Sequence, residues 1–128
     1  MNGKRIVVVD DEAHIRHIVS MKLRNAGFEV LTASDGEEAL ELCNSEKPDL
    51  LITDYQMPLL SGLELCQKLR ASEATREIPV VMLTARGFDL DPSETAQTGI
   101  AAVMSKPFSP REVLEKVNQL LALSVGNV

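Results

Sequence analysis

Apolar residues along this chain change period repeatedly, from short strand-like runs to helical spacing and back. Ile6-Val7-Val8-Val9, Leu50-Leu51-Ile52-Thr53, Val80-Val81-Met82-Leu83 and Ala101-Ala102-Val103-Met104 are apolar runs of strand length. Those at Ile6, Leu50 and Val80 are near-continuous, which predicts central strands of a parallel sheet buried on both faces. Phe28 to Ala33 alternates instead and carries Glu29 and Thr32, which predicts a half-exposed edge strand.

Between these runs the spacing becomes helical. Ile15, Ile18, Val19, Leu23 and Ala26 share one helical face, and Gly27 suits a helix C-terminus. Ser34 to Glu37 has the pattern of a capping box opening a helix with Ala39, Leu40 and Cys43 inward. Ser61 to Glu64 is a second box, with Leu65, Cys66 and Leu69 inward. Asp91-Pro92-Ser93-Glu94 offers an N-cap with proline at the first helical position. The helix it opens is short and weakly apolar, and is expected to be the least stable. The last helix opens at Ser109-Pro110 and buries Val113, Leu114, Val117, Leu120 and Leu121, before a frayed tail from Ser124 to Val128. Five β-α units in strict alternation predict an α/β fold, a doubly wound five-stranded parallel sheet with helices on both faces.

At 128 residues and 45% hydrophobic the chain suits a single domain, here residues 1–128 with a core from about 4 to 122. With no Trp, one Tyr and three Phe, the core must be aliphatic. No apolar run approaches the ~20 residues of a membrane helix, and the run after the N-terminus is too short for a signal-peptide core. A cytoplasmic location is expected, with no membrane partner. The net charge of −6 and the scattered Lys and Arg residues argue against direct nucleic-acid binding, which needs a basic face. Cys43 and Cys66 lie on apolar helix faces, outside any CxxC, and are expected to be buried free thiols. His14 and His17 are expected to be solvated, and Met57 and Met82 to pack in the core or its loops.

The residues that close the strands change the picture. Asp10 and Asp11 follow the first run, Asp54 the third, Thr84 the fourth, and Ser105-Lys106 the fifth. In an open parallel sheet these positions share one edge, where such folds place their sites. Three carboxylates can hold Mg²⁺, which prefers oxygen ligands and retained water. An aspartate can act as nucleophile toward phosphorus, and phosphoryl transfer needs mainly positioning and charge neutralisation. A lone strand-end Asp, Thr or Lys is commonly a turn, cap or solvated residue, and the Asp pair could simply cap the first helix. The joint occurrence, in this order, is far more specific.

Val9-Asp10-Asp11, Asp54 with Met57-Pro58 and Gly62, Thr84-Ala85, and Lys106-Pro107-Phe108 together resemble a bacterial response-regulator receiver domain of the CheY type. The resemblance spans residue 4 to about 122. It implies a flavodoxin-like (βα)5 fold with strand order 2-1-3-4-5, for which CheY is itself a standard example. It implies Asp54 as phospho-acceptor, Lys106 as phosphoryl-binding lysine and Thr84 as switch hydroxyl. It implies Mg²⁺ held by Asp10, Asp11, Asp54 and the Gln56 backbone carbonyl, with Asp11 the more direct of the acid pair. It also implies a cis peptide between Lys106 and Pro107, and Gln56 and Arg86 as positions tuning phosphoryl lifetime. The implied partners are a sensor histidine kinase or histidine phosphotransfer protein, and a downstream effector or C-terminal output domain. A phosphorylation-dependent homodimer and an output face on the fourth helix, fifth strand and fifth helix also follow. Such a domain is not an enzyme beyond its own phosphorylation from a phosphodonor and its dephosphorylation.

One position departs from the family. Val103 stands where a Tyr or Phe commonly precedes the lysine, so coupling from Thr84 to the outer face of the fifth strand is expected to differ. The alternative is a pseudo-receiver acting only as an interaction module. A phosphatase of the haloacid dehalogenase type needs Asp-x-Asp, and Asp54-Tyr55-Gln56 lacks the second acid. A flavin site would need a phosphate loop where Asp10-Asp11-Glu12 stands.

Overall fold

The computed structural model describes residues 3–84, 98–105 and 108–125. Its strands are β1 (Arg5–Val9), β2 (Glu29–Ala33), β3 (Leu50–Asp54), β4 (Val80–Thr84) and β5 (Ile100–Ser105). Its helices are α1 (Ala13–Asn25), α2 (Gly36–Glu46), α3 (Gly62–Arg70) and the last helix, here α4 (Pro110–Val125). The helix expected from Asp91 lies outside the described residues. The strands form one parallel sheet in the order β2-β1-β3-β4-β5. As the hydrophobic pattern predicts, β1, β3 and β4 are central and β2 is at an edge; β5 is the other edge.

The sheet separates two apolar layers. Ile6, Val8, Leu50, Ile52, Val81 and Leu83 face Val19 and Leu23 of α1 and Val113, Val117 and Leu121 of α4. Val7, Val9, Leu51, Val80 and Met82 face Ala39 and Cys43 of α2 and Leu65, Cys66 and Leu69 of α3. Alternate residues of each central strand thus go to opposite layers, which is why their runs show no polar break. On β5 a bulge at Val80/Val81 of the pairing shifts the register. Ile100 therefore packs on the second layer, while Ala102 and Met104 pack on the first.

Helix starts follow local chemistry. The Ser61–Glu64 capping box is complete, and Ser109 and Glu112 exchange the same pair of bonds at α4. At α2 the expected box is displaced by one residue. Asp35 is the N-cap and accepts from the Glu38 N–H at 2.9 Å, while the Glu38 carboxylate accepts from the Ser34 N–H. The reason is Gly36: a side chain there would meet the Leu60 carbonyl, so glycine takes the first helical position and Asp35 the cap. Ala26, expected on the inner face of α1, is exposed because the helix ends at Asn25 and Ala26 is already its C-cap. Gly27 follows with φ +100°, a conformation that costs other residues energy. The helix α4 continues through Val125, so Ser124 and Val125 are helical rather than frayed; residues 126–128 lie outside the described residues.

A long-range tie fixes the base of the sheet. Arg70, at the end of α3, donates to the carbonyls of Thr98, Arg76, Ile78 and Gly99 at 2.6 to 3.2 Å. One guanidinium thereby joins α3, the approach to β4 and the entry to β5. Replacing Arg70 with Met removes the donors and leaves carbonyls to find water, and should cost about 1–3 kcal/mol in urea unfolding.

Both cysteines are buried free thiols, as expected. Burial pushes Cys43 up to about 12, with a smaller push from Cys66 nearby. Burial pushes Cys66 up to about 11, against a small opposing pull from Arg70. Because the folded values lie above the unfolded one, the unfolded chain loses these protons first. The stability they contribute is full below about pH 9 and is lost as pH rises through 11 to 12. The urea midpoint should fall across that window and stop falling there in a Cys43→Ala/Cys66→Ala variant. At pH 8 a thiol reagent should label the native protein on the order of 100-fold more slowly than the unfolded chain.

Candidate functional site

The carboxyl ends of β1 and β3 bring three carboxylates together. Asp10 follows β1, Asp11 succeeds it, and Asp54 closes β3. One carboxylate oxygen from each lies within 4.8 Å of the others. Asp10 is fully buried and Asp54 nearly so, whereas Asp11 is exposed. The pair Asp10-Asp11 therefore differs in burial, yet both side chains reach the same spot. Asp10 also accepts from the Glu12 N–H at 2.9 Å through Oδ1. The N-cap of α1 is Glu12 rather than either aspartate, and it makes no side-chain cap bond.

Each position has a local cause. Val9 pairs with Thr53 and Ala33, and the Asp10 N–H continues the ladder to the Ala33 carbonyl at 3.3 Å. Asp54 pairs with Leu83, and the Tyr55 N–H continues to the Leu83 carbonyl at 2.8 Å. The Thr53 hydroxyl donates to the Asp54 carbonyl at 2.9 Å. The loop after Asp54 closes back on itself through the Gly62 N–H and the Tyr55 carbonyl, 2.8 Å apart. A Cβ on Gly62 would collide with the Asp54 carbonyl oxygen and stand 2.8 Å from the Met82 sulfur. Only glycine lets α3 begin this close to the acid.

Thr84 ends β4, beside β3, and pairs with Ser105 of β5. It is fully buried, and its hydroxyl has no hydrogen-bond partner among the described residues. Such a hydroxyl is a donor in waiting at the same sheet edge. Gln56 lies two residues past Asp54 in the exposed turn. Lys106, the Lys106–Pro107 peptide, Arg86 and Phe88 lie outside the described residues. Val103 is 45% exposed on β5. His14 and His17 are exposed, and Met82 is buried.

One contributor has no sequence signal. The Arg16 guanidinium donates to the Asp10 backbone carbonyl at 2.8 Å, tying α1 to the buried acid. Nothing in a helical arginine six residues downstream announces that bond.

Clustered carboxylates repel one another unless a cation shares them. The donor set is oxygen-only, two buried and one open to water, which suits a hard divalent cation that keeps part of its hydration. Without a divalent cation, Asp54→Asn should raise stability by about 1–2 kcal/mol in urea unfolding, because one of three like charges is gone. Gly62→Ala should lower it by about 1–3 kcal/mol through the collision at Asp54.

The comparisons agree with this geometry. The family model described as "response regulator receiver domain" matches residues 6–118. The chain is 43% identical over 122 residues to the alkaline phosphatase synthesis transcriptional regulatory protein PhoP of Bacillus subtilis, covering 95% of this chain and 50% of that protein. It is 39% identical to the phosphate regulon transcriptional regulatory protein PhoB of Pseudomonas aeruginosa, covering 94% of this chain and 53% of the relative. The chain therefore spans about half the length of the curated relatives it matches. Among solved structures, the chemotaxis response regulator CheY4 of Vibrio cholerae superposes with a TM-score of 0.83 at 31% identity, over 92% of this chain and 98% of that one. The receiver domain of the sensor histidine kinase PA1611 of Pseudomonas aeruginosa, with magnesium in its active-site cleft, gives 0.81 at 26% identity, over 91% and 96%.

Proposed function

This chain belongs to the response regulator receiver domain family, and from that premise we propose that it is a phospho-accepting switch with Asp54 as the acceptor. The observation that carries the reading is the convergence of the Asp10, Asp11 and Asp54 carboxylates at one sheet edge. Receiver domains are signalling modules that take a phosphoryl group rather than turn over a substrate. The reaction is a displacement: an Asp54 carboxylate oxygen bonds to phosphorus and the phosphorus–nitrogen bond of a phosphohistidine breaks. The electron pair stays on the imidazole, which takes up a proton. The donor is a sensor histidine kinase or a histidine phosphotransfer protein, and a small phosphodonor can substitute for it.

Asp10, Asp11, Asp54 and the Gln56 carbonyl would hold Mg²⁺, which when bound neutralises charge on the acids and the phosphoryl oxygens. Asp10 is buried and its backbone is tied to Arg16, while Asp11 is exposed and would meet the ion as the more direct ligand of the pair. Lys106 would supply the second positive charge. The buried Thr84 hydroxyl, which has no partner among the described residues, would donate to a phosphoryl oxygen.

Phosphorylation adds nearly two negative charges at the strand ends. Thr84 and Lys106 drawn toward them would shift the population between two states of the face built on the fourth expected helix, β5 and α4. Val103 puts no aromatic ring at this position of β5, so the readout would not use one there. The whole protein's output, an appended domain or a separate effector, and a phosphorylation-dependent homodimer remain within this proposal. The relatives PhoP and PhoB are named transcriptional regulators.

Incubation with Mg²⁺ and acetyl phosphate should add one phosphoryl group by intact mass, and Asp54→Asn should add none. Asp11→Asn should raise the Mg²⁺ requirement at least about ten-fold. Thr84→Ala should still be phosphorylated but lose most of the spectral change at β5. A folded wild type that takes up no phosphoryl group would overturn this reading in favour of a pseudo-receiver.

A further inference from the structure

Helix α1 runs against the charge of its chain. From Ala13 to Asn25 it carries Arg16, Lys22 and Arg24 with two histidines and no Asp or Glu, in a protein of net charge −6. Part of that charge is gathered in one place. Arg16, His17, Ser20 and Arg24 of α1 face Thr32 of β2 across a groove of about 340 Å³, with Ala13 at its end. No acid lines it. The cleft is at the lower end of the size range of small-molecule sites.

Its cations are held in place. The Arg16 guanidinium is fixed by its bond to the Asp10 carbonyl, and the Arg24 guanidinium donates to the Val30 carbonyl at 3.0 Å. Each guanidinium has five N–H donors, so one anchors it and others can turn to the groove. A fork fixed in advance loses less freedom on binding, and its planar donor pattern matches phosphate oxygens. The floor adds a second, independent feature. Ser20 is 2% exposed, and its hydroxyl has no hydrogen-bond partner among the described residues. A buried hydroxyl without a partner is uncommon in a native structure, and Ser20 lines the same groove as Arg16 and Arg24.

We propose that the α1–β2 groove binds a phosphate-type oxyanion, either the free ion or the phosphate group of a small monoester. Arg16 and Arg24 neutralise it, His17 flanks it, and Ser20 and Thr32 donate hydroxyls. This site is separate from the acid cluster, which repels anions when no cation is bound.

The test is an amide and histidine-ring NMR titration of the full chain in EDTA at constant ionic strength. Inorganic phosphate and glycerol 3-phosphate are the two probes, and chloride is the control. The expected result is saturable shifts at Ala13, His17, Ser20, Arg24 and Thr32, with affinity weakened at least ten-fold in Arg24→Gln. Stronger binding of glycerol 3-phosphate would identify a monoester as the ligand, and equal or weaker binding the free ion. If Arg24→Gln fails to fold, His17→Gln takes its place with a smaller expected loss. The proposal is overturned if the shifts do not saturate or if chloride reproduces them. It also fails if they centre on Asp54 and Thr84, or if the folded variants bind as the wild type does.

Discussion

Like charges held close against their repulsion are the constraint on which this structure turns. The nearest carboxylate oxygens lie within 4.8 Å of one another, and two like unit charges about 5 Å apart repel by roughly 3 kcal/mol at the effective dielectric of a protein surface. Left to themselves, the three acids would separate. They cannot, because β1 and β3 are hydrogen-bonded neighbours whose apolar residues are buried on both faces. A slip of one residue would send every side chain of a strand to the wrong layer. The core thus holds the three carboxylates together at a place where one cation can be shared among them. The glycine at position 62, the bond from Arg16 and the ladder at Tyr55 all serve the same register.

Much of this was legible in the sequence because it depends on local periodicity. Unbroken runs at Ile6, Leu50 and Val80 identify the central strands, and the alternation from Phe28 identifies an edge. Strand ends then place Asp10, Asp54 and Thr84 along one side of the sheet without further information. Capping was legible less sharply: Ser34 and Asp35 are both good caps, and only the approach of Leu60 to Gly36 decides between them. Ala26 fits the helical period but falls past the last turn. The contacts that escaped are those between segments far apart in the chain. Arg70 serves carbonyls up to 29 residues away, and no spacing rule points to them. The α1–β2 groove likewise exists only once α1 is laid beside β2.

The edge strand β5 differs in kind from the other four. Its exposed and half-buried residues alternate from end to end, and its pairing to β4 is broken by a bulge near its start. Ala101, Val103 and Ser105 present only small side chains outward. A ring at position 103 would be a lever with two positions, whereas valine has little to swing. Thr84, which pairs with Ser105 in the strand register, ties the end of β4 to the end of β5 at the sheet edge that carries the acids.

The sheet also acts as a partition. The layer built on α1 and α4 and the layer built on α2 and α3 share strands but no packed helix, since neighbouring residues of each strand point to opposite sides. Substitutions at Val8 and Leu51 thus alter separate cavities, and their effects should sum, while pairs within one layer should show epistasis. In evolutionary terms the two sides are nearly independent modules. One can be recarved to suit a new binding surface while the other, with Gly62 and the start of α3 seated on Asp54, keeps the chemistry intact.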